Sequence, residues 1–302
     1  MTVDSAAKSS LSHKLKILTE VIKLRITILV SFTTTLGYIL ASENLASFSA
    51  YPVLGIFFLA CGAAALNHYQ ERDRDYLMDR TRNRPLPSGE VSPASVLLIT
   101  AFFIVSGSLI LYFGSNVTTL LIGLTTFFWY NAVYTPLKKV MALAIIPGSL
   151  VGALPPLAGW TAAGGDILDP KILIVATFFF VWQIPHFWIL LLVYGNDYAK
   201  GGYPTLTNVL TKHQLMNITF SWILLTIATA LSFNFFGILN FFLSGAVLLA
   251  LCGWIFFESV KFRKYEGSDN KVFKGMFMRI NVFVLLVITL LSLDKLLKLF
   301  LD

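Results

Sequence analysis

The sequence predicts an all-α, polytopic membrane protein with about nine transmembrane helices. Of its 302 residues, 56% are hydrophobic and only 13% charged, whereas an ordinary soluble domain is about 25% charged. Its mean hydropathy is +0.75. The apolar residues gather in runs of roughly 20, the length that crosses a bilayer as a helix. They do not alternate every second residue, as the strands of a membrane β-barrel would.

Residues 1–22 are polar and basic, with Lys8, Lys14 and Lys16. No apolar core precedes a small-residue cleavage site there, so a cytoplasmic N-terminal segment is expected, not a signal peptide. Residues 23–302 are expected to form one transmembrane domain, with spans near 26–42, 51–70, 94–114, 118–135, 142–162, 171–194, 216–235, 238–258 and 277–299. In span 5, Pro155-Pro156 with Gly152 and Gly159 predict a broken helix. The break would either let a neighbour pack closely or open backbone onto a cavity. In span 6, Pro185 predicts a kink near Val181, because proline lacks the N–H that bonds the carbonyl four residues back. Cys61 and Cys252 lie singly in apolar runs and are expected as buried packing residues.

Twenty of the 23 Lys and Arg residues fall in the N-terminal segment and in the loops after spans 2, 4, 6 and 8. The opposite side carries Lys171, Lys295 and Lys298. The positive-inside rule then places the N-terminus in the cytoplasm and the C-terminus across the membrane. Topology and anionic lipid account for the net charge of +7, and no nucleic-acid partner is needed.

The richest stretch is Asn67 to Arg84, which follows directly on the apolar run of span 2. Asn67, Glu71, Asp75 and Asp79 recur every four residues and would line one helix face. Hard oxygen donors at a span end are costly without a cation, and they suit Mg²⁺. A solvated helix end, with Arg74 or nearby lysines as partners, is the plainer alternative. Arg72, Arg74, Arg80, Arg82 and Arg84 are mixed in behind, and guanidinium groups suit phosphate. Together they can handle a diphosphate. Tyr134-Thr135-Pro136-Leu137-Lys138-Lys139 closes span 4 on a lysine pair at a depth suited to the same anion. His186, within Trp182-Gln183-Ile184-Pro185-His186-Phe187-Trp188, is an ionisable residue inside a span and so a functional candidate. Asp197-Tyr198 follows at the cytoplasmic end.

Six stretches in order, Asn67–Asp79, RTRNRPLPSG from Arg80, YTPLKK from Tyr134, GALPPLAGW from Gly152, WQIPHFW from Trp182, and Asp197-Tyr198 with Pro204 beyond, resemble the UbiA superfamily of intramembrane prenyltransferases. Within it they are most similar to the protoheme IX farnesyltransferase (haem O synthase) branch. The resemblance implies nine helices around a central cavity and farnesyl transfer from farnesyl diphosphate to a vinyl group of haem B, giving haem O and diphosphate. It implies Mg²⁺ as cofactor, held by Asn67, Glu71, Asp75, Asp79 and Asp197. Arg80, Arg84, Lys138 and Lys139 would neutralise the leaving group, and His186, Tyr134 and Trp182 would contact the haem. The lack of an Arg/Ser-rich, acid-poor transit peptide favours a bacterial inner membrane, the charge split puts the active site on the cytoplasmic face, and haem A synthase or a terminal oxidase is the expected receiver of the product.

The chain departs from the family pattern in three places. Glu71 stands where Asp is usual. Lys23-Leu24-Arg25 stands where Lys-Pro-Arg is common. Gly201 stands four residues after Asp197, where the wider superfamily has a second Asp. A quinone-precursor or chlorin prenyltransferase would share the diphosphate half, but WQIPHFW and GALPPLAGW argue against it. A cation-coupled transporter would place acids near the midplane, and these spans are almost free of charge.

Overall fold

The computed structural model describes residues 3–44, 48–267 and 269–301. Among them there are helices and no strands. α1 (Val3–Val21) precedes the spans and makes the N-terminal segment helical. α2 (Leu24–Ala41), α3 (Tyr51–Asp75) and α4 (Pro93–Gly114) follow, then α5 (Val117–Phe128). A π-helical turn, Trp129–Tyr134, leads into the short α6 (Thr135–Leu137). After α7 (Ile145–Gly148) and α8 (Leu150–Ala162) come α9 (Pro170–Lys200), α10 (Lys212–Leu231), α11 (Phe242–Arg263) and α12 (Asn270–Leu301).

Among the described residues, eight helices are long and apolar enough to cross a membrane. The expected span near 118–135 is divided among α5, the π turn and α6. Its irregularity has a local cause. Pro136 has no N–H for an α-type bond, and the Thr135 hydroxyl takes the Tyr130 carbonyl at 2.8 Å, which stabilises the wider turn. Side-chain caps start several helices. Ser92 accepts from the Ser95 N–H at α4, Asn116 from Thr119 at α5 and Asp169 from Lys171 at α9. Thr211 and Gln214 form a reciprocal capping box at α10.

The helices form a ring. α2 packs on α3, α3 on α4, α4 on α5, α5 on α8, α8 on α9, α9 on α10, α10 on α11 and α11 on α12; α12 returns to α2 and also touches α9. The α2–α8 seam is closed backbone to backbone. A Cβ on Gly159 would sit 1.8 Å from the Thr34 carbonyl oxygen, and one on Gly37 would sit 1.9 Å from that of Pro156. α8 runs helical through Pro155 and Pro156, so the expected break is absent there. Close packing takes its place, and Gly152 and Pro155 also line a cavity. Around Pro185 the backbone of α9 keeps helical dihedral angles. α9 leaves helical geometry at Tyr194 (φ −121°, ψ 18°), which redirects its last turns, including Asp197.

Candidate functional site

The ring encloses a cavity of about 350 Å³. Its body is apolar, lined by residues such as Val30, Ile56, Leu59, Phe127 and Leu190. Its mouth is charged. Asn67, Glu71 and Asp75 reach it from the last turns of α3, with Arg80 and Arg84 from the following loop. Lys23 enters from the α1–α2 corner, Tyr130, Tyr134 and Lys138 from the π turn and beyond, and Tyr198 and Tyr203 from the end of α9 and its loop.

The acidic groups are buried and already paired. Glu71 is in an ion pair with Lys138 and accepts from the Tyr203 hydroxyl at 3.3 Å. The Arg84 guanidinium donates to Asp75 at 2.7 Å. Lys23 donates to the Asn67 amide oxygen at 2.6 Å, and the Asn67 amide nitrogen donates to Thr135 at 3.1 Å. A buried carboxylate without such partners would carry a large desolvation cost. The plainer reading, with Arg74 neutralising the helix end, does not hold. Arg74 instead donates to the carbonyls of Gly202 and Lys139 and stacks over Tyr203.

The sequence assigns Lys23 no site role beyond its place in the Lys23-Leu24-Arg25 stretch. Among the described residues it is the one non-glycine with positive φ, at 50°, and it caps α2 from that left-handed conformation. Strain of this kind persists only where the surroundings impose it. Burial, and next the Arg84 guanidinium, pull its amine down to about 7. Burial also works against the charge on Lys138, but the Glu71 carboxylate, followed by the Tyr134 and Tyr130 hydroxyls, outweighs it and holds that ammonium well above the usual lysine range. Of the cavity-lining side chains, two are carboxylates and three are cations (Arg80, Arg84 and Lys138), with Lys23 as a fourth basic group, an excess that suits a polyanion.

Several predicted site residues lie elsewhere. α3 ends at Asp75, so Asp79 leaves the helical stripe. The Thr81 hydroxyl captures the Asp75 carbonyl at 2.9 Å and turns the chain. Asp79 is exposed and pairs with Lys200 and Arg82; chiefly the Lys200 hydrogen bond holds its carboxyl below the usual range. Asp197 accepts the backbone N–H groups of Asp79 and Arg80 at 2.9 and 3.1 Å. It braces the loop and does not line the cavity. Lys139 turns away and donates to the Gln70 carbonyl at 2.7 Å. Trp182 and His186 lie on the flank of α9, outside the cavity lining, while Tyr134 is within it. Tyr203, in a Gly-Gly-Tyr-Pro turn, and Gln183, inside span 6, reach the cavity without any spacing signal that would have singled them out.

The donor set fits Mg²⁺. Among the described residues no group of three or more His, Cys, Asp or Glu is placed to hold a metal. Mg²⁺ normally takes one or two carboxylates and completes its shell with phosphate oxygens and water, and Glu71, Asp75 and the Asn67 carbonyl offer that set.

Comparison with known proteins agrees with this architecture. Residues 30–282 match the UbiA prenyltransferase family. Protoheme IX farnesyltransferase of Flavobacterium psychrophilum is 33% identical over 287 residues, 92% of this chain and 94% of that protein. The Geobacter sulfurreducens protein of the same name is 47% identical over 153 residues, 51% of this chain and 56% of that protein, so this match spans about half of each. A solved structure described for digeranylgeranylglyceryl phosphate synthase has a TM-score of 0.74 at 14% identity, covering 94% of this chain and 99% of that one. A UbiA homologue from Archaeoglobus fulgidus bound to GPP and Mg²⁺ has a TM-score of 0.61 at 15% identity, covering 91% and 99%. At such identities the two structures speak to the fold. The family match over most of the chain, with a full-length relative above 30% identity, makes this chain a member of the UbiA prenyltransferase family.

Proposed function

We propose that this protein transfers the farnesyl group of farnesyl diphosphate to a vinyl group of haem B, giving haem O and diphosphate. The observation that carries this reading is the cavity itself, a charged mouth with paired carboxylates and an excess of cations over an apolar chamber. The names of the full-length relatives supply the acceptor.

Asn67, Glu71 and Asp75 would hold Mg²⁺, which supplies positive charge to the departing diphosphate. Arg80, Arg84, Lys138 and Lys23 stand at the same mouth and take up the charge that develops as the C–O bond breaks. The bonding pair leaves with diphosphate. The vinyl π pair forms the new carbon–carbon bond to the farnesyl C1, and water adds to the resulting cation with loss of a proton. The apolar body keeps water from the allylic cation, and the faces of Tyr130, Tyr134 and Phe127 line its path.

Residues 23–302 act as one domain on this reading. The positive-inside charge split supports a mouth facing the cytoplasm, and a bacterial inner membrane completes this reading. The product would pass to haem A synthase or a terminal oxidase. Asp75→Ala should abolish haem O formation in membranes given haem B, farnesyl diphosphate and Mg²⁺. Near-normal turnover would remove Asp75 as a metal ligand. Absence of a farnesylated haem with the unmodified chain, beside an active control, would overturn the acceptor.

A further inference from the structure

The chamber is small for two bulky substrates. At about 350 Å³ it lies at the low end of ligand pockets, which run from about 300 to 1,000 Å³. A tetrapyrrole held beside a prenyl chain would reach beyond such a chamber, toward a flank of the ring. α9 presents Gln183, Phe187 and Leu190 to the cavity. Stepping back one residue from Phe187 turns about 100° around the helix and brings His186 to the side that faces α12.

On that side the imidazole is fixed. His186 Nδ1 lies 2.9 Å from Asn281 Oδ1. The Asn281 amide nitrogen donates to the Phe277 carbonyl at 2.6 Å. A carbonyl can only accept, so the amide orientation is set and its oxygen must face His186. Nδ1 therefore carries the proton, and the lone pair of the neutral ring resides on Nε2. Nε2 makes no hydrogen bond among the described residues. Trp182, Phe187 and Phe277 hold the ring, with centroids 5.0, 5.1 and 4.8 Å away. A histidine whose far nitrogen is pinned to an oxygen acceptor, leaving the near one free, has the arrangement of an iron or zinc ligand. Simple stitching of α9 to α12 would need the hydrogen bond but not the free lone pair.

We propose that Asn281 is a positioning residue that holds His186 with Nε2 free to ligate the iron of a haem-type acceptor lying along the α9/α12 flank. This rests on the haem-acceptor reading above. The test uses the full chain in nanodiscs titrated with ferric haem B, followed by Soret absorbance and EPR, with farnesyl diphosphate binding measured in parallel. The unmodified protein should show a histidine-ligated spectrum. Asn281→Leu should weaken haem binding about tenfold and lose that signature, while leaving farnesyl diphosphate affinity and thermal stability near the parent's. Asn281→Asp keeps an oxygen acceptor on Nδ1 and should restore the signature. His186→Gly should lose it and regain it with added imidazole. An unchanged spectrum and affinity in Asn281→Leu and His186→Gly, with haem O still formed by the parent, would overturn this proposal alone. A parent chain that binds farnesyl diphosphate but neither binds nor farnesylates haem would overturn the acceptor reading as well.

Discussion

Asp75 and Asp79 are four residues apart and would be near-equivalent on an uninterrupted helix, yet they have opposite surroundings. Asp75 is buried at the cavity mouth against Arg84. Asp79 is exposed beyond the helix end, among Lys200, Arg82 and a backbone N–H held by Asp197. One carboxylate belongs to chemistry and the other to scaffolding. What separates them is where α3 stops.

That contrast can be broken or sharpened by substitution. Asp75→Asn keeps the size and removes the charge. Turnover should fall about a hundredfold or more, the usual scale for deleting one charge-stabilising group, and Mn²⁺ binding by EPR in the presence of a diphosphate should weaken with it. Lys138→Ala leaves Glu71 buried with only the Tyr203 hydroxyl. It should destabilise the fold by about 3–5 kcal/mol, as seen in detergent unfolding. Lys139→Ala, one residue on, should cost about 1 kcal/mol through its lost bond to the Gln70 carbonyl. Equal losses for the two lysines would erase the inside–outside distinction. Asp197→Asn removes one of two acceptors for the loop that carries Arg80. Turnover should fall roughly tenfold, equivalent to about 1.4 kcal/mol of lost hydrogen bonding, with metal affinity retained. Asp79→Ala should leave turnover and thermal stability near the parent's, because exposed pairs contribute little. A loss as large as that of Asp75→Asn would return Asp79 to the site.

The same contrast explains what could be read from residues alone. The four-residue spacing of Asn67, Glu71 and Asp75 was legible because a helix in progress converts spacing into a shared face. It failed at Asp79 because periodicity does not announce where a helix ends; a threonine hydroxyl six residues on and a carboxylate from another helix decide that. Eight of the nine expected spans coincide with helices long and apolar enough to cross a membrane among the described residues, so apolar run length was legible. The π turn was not, since it arises from Pro136 and Thr135 acting together. Pro185 signals a kink from its missing N–H, whereas the departure from helical geometry at Tyr194 carries no marker in the sequence. Lys23 looked like any basic residue at a span end, and only its reach to Asn67 from a left-handed backbone distinguishes it.

The glycine seam between α2 and α8 has a consequence for the ring as a whole. Where Gly37 and Gly159 leave no space for even a methyl group, two helices behave as one panel. Because α2 and α8 are not neighbours in the order of the ring, that panel ties its two halves together, and enlarging either glycine would push them apart without touching a single charged residue.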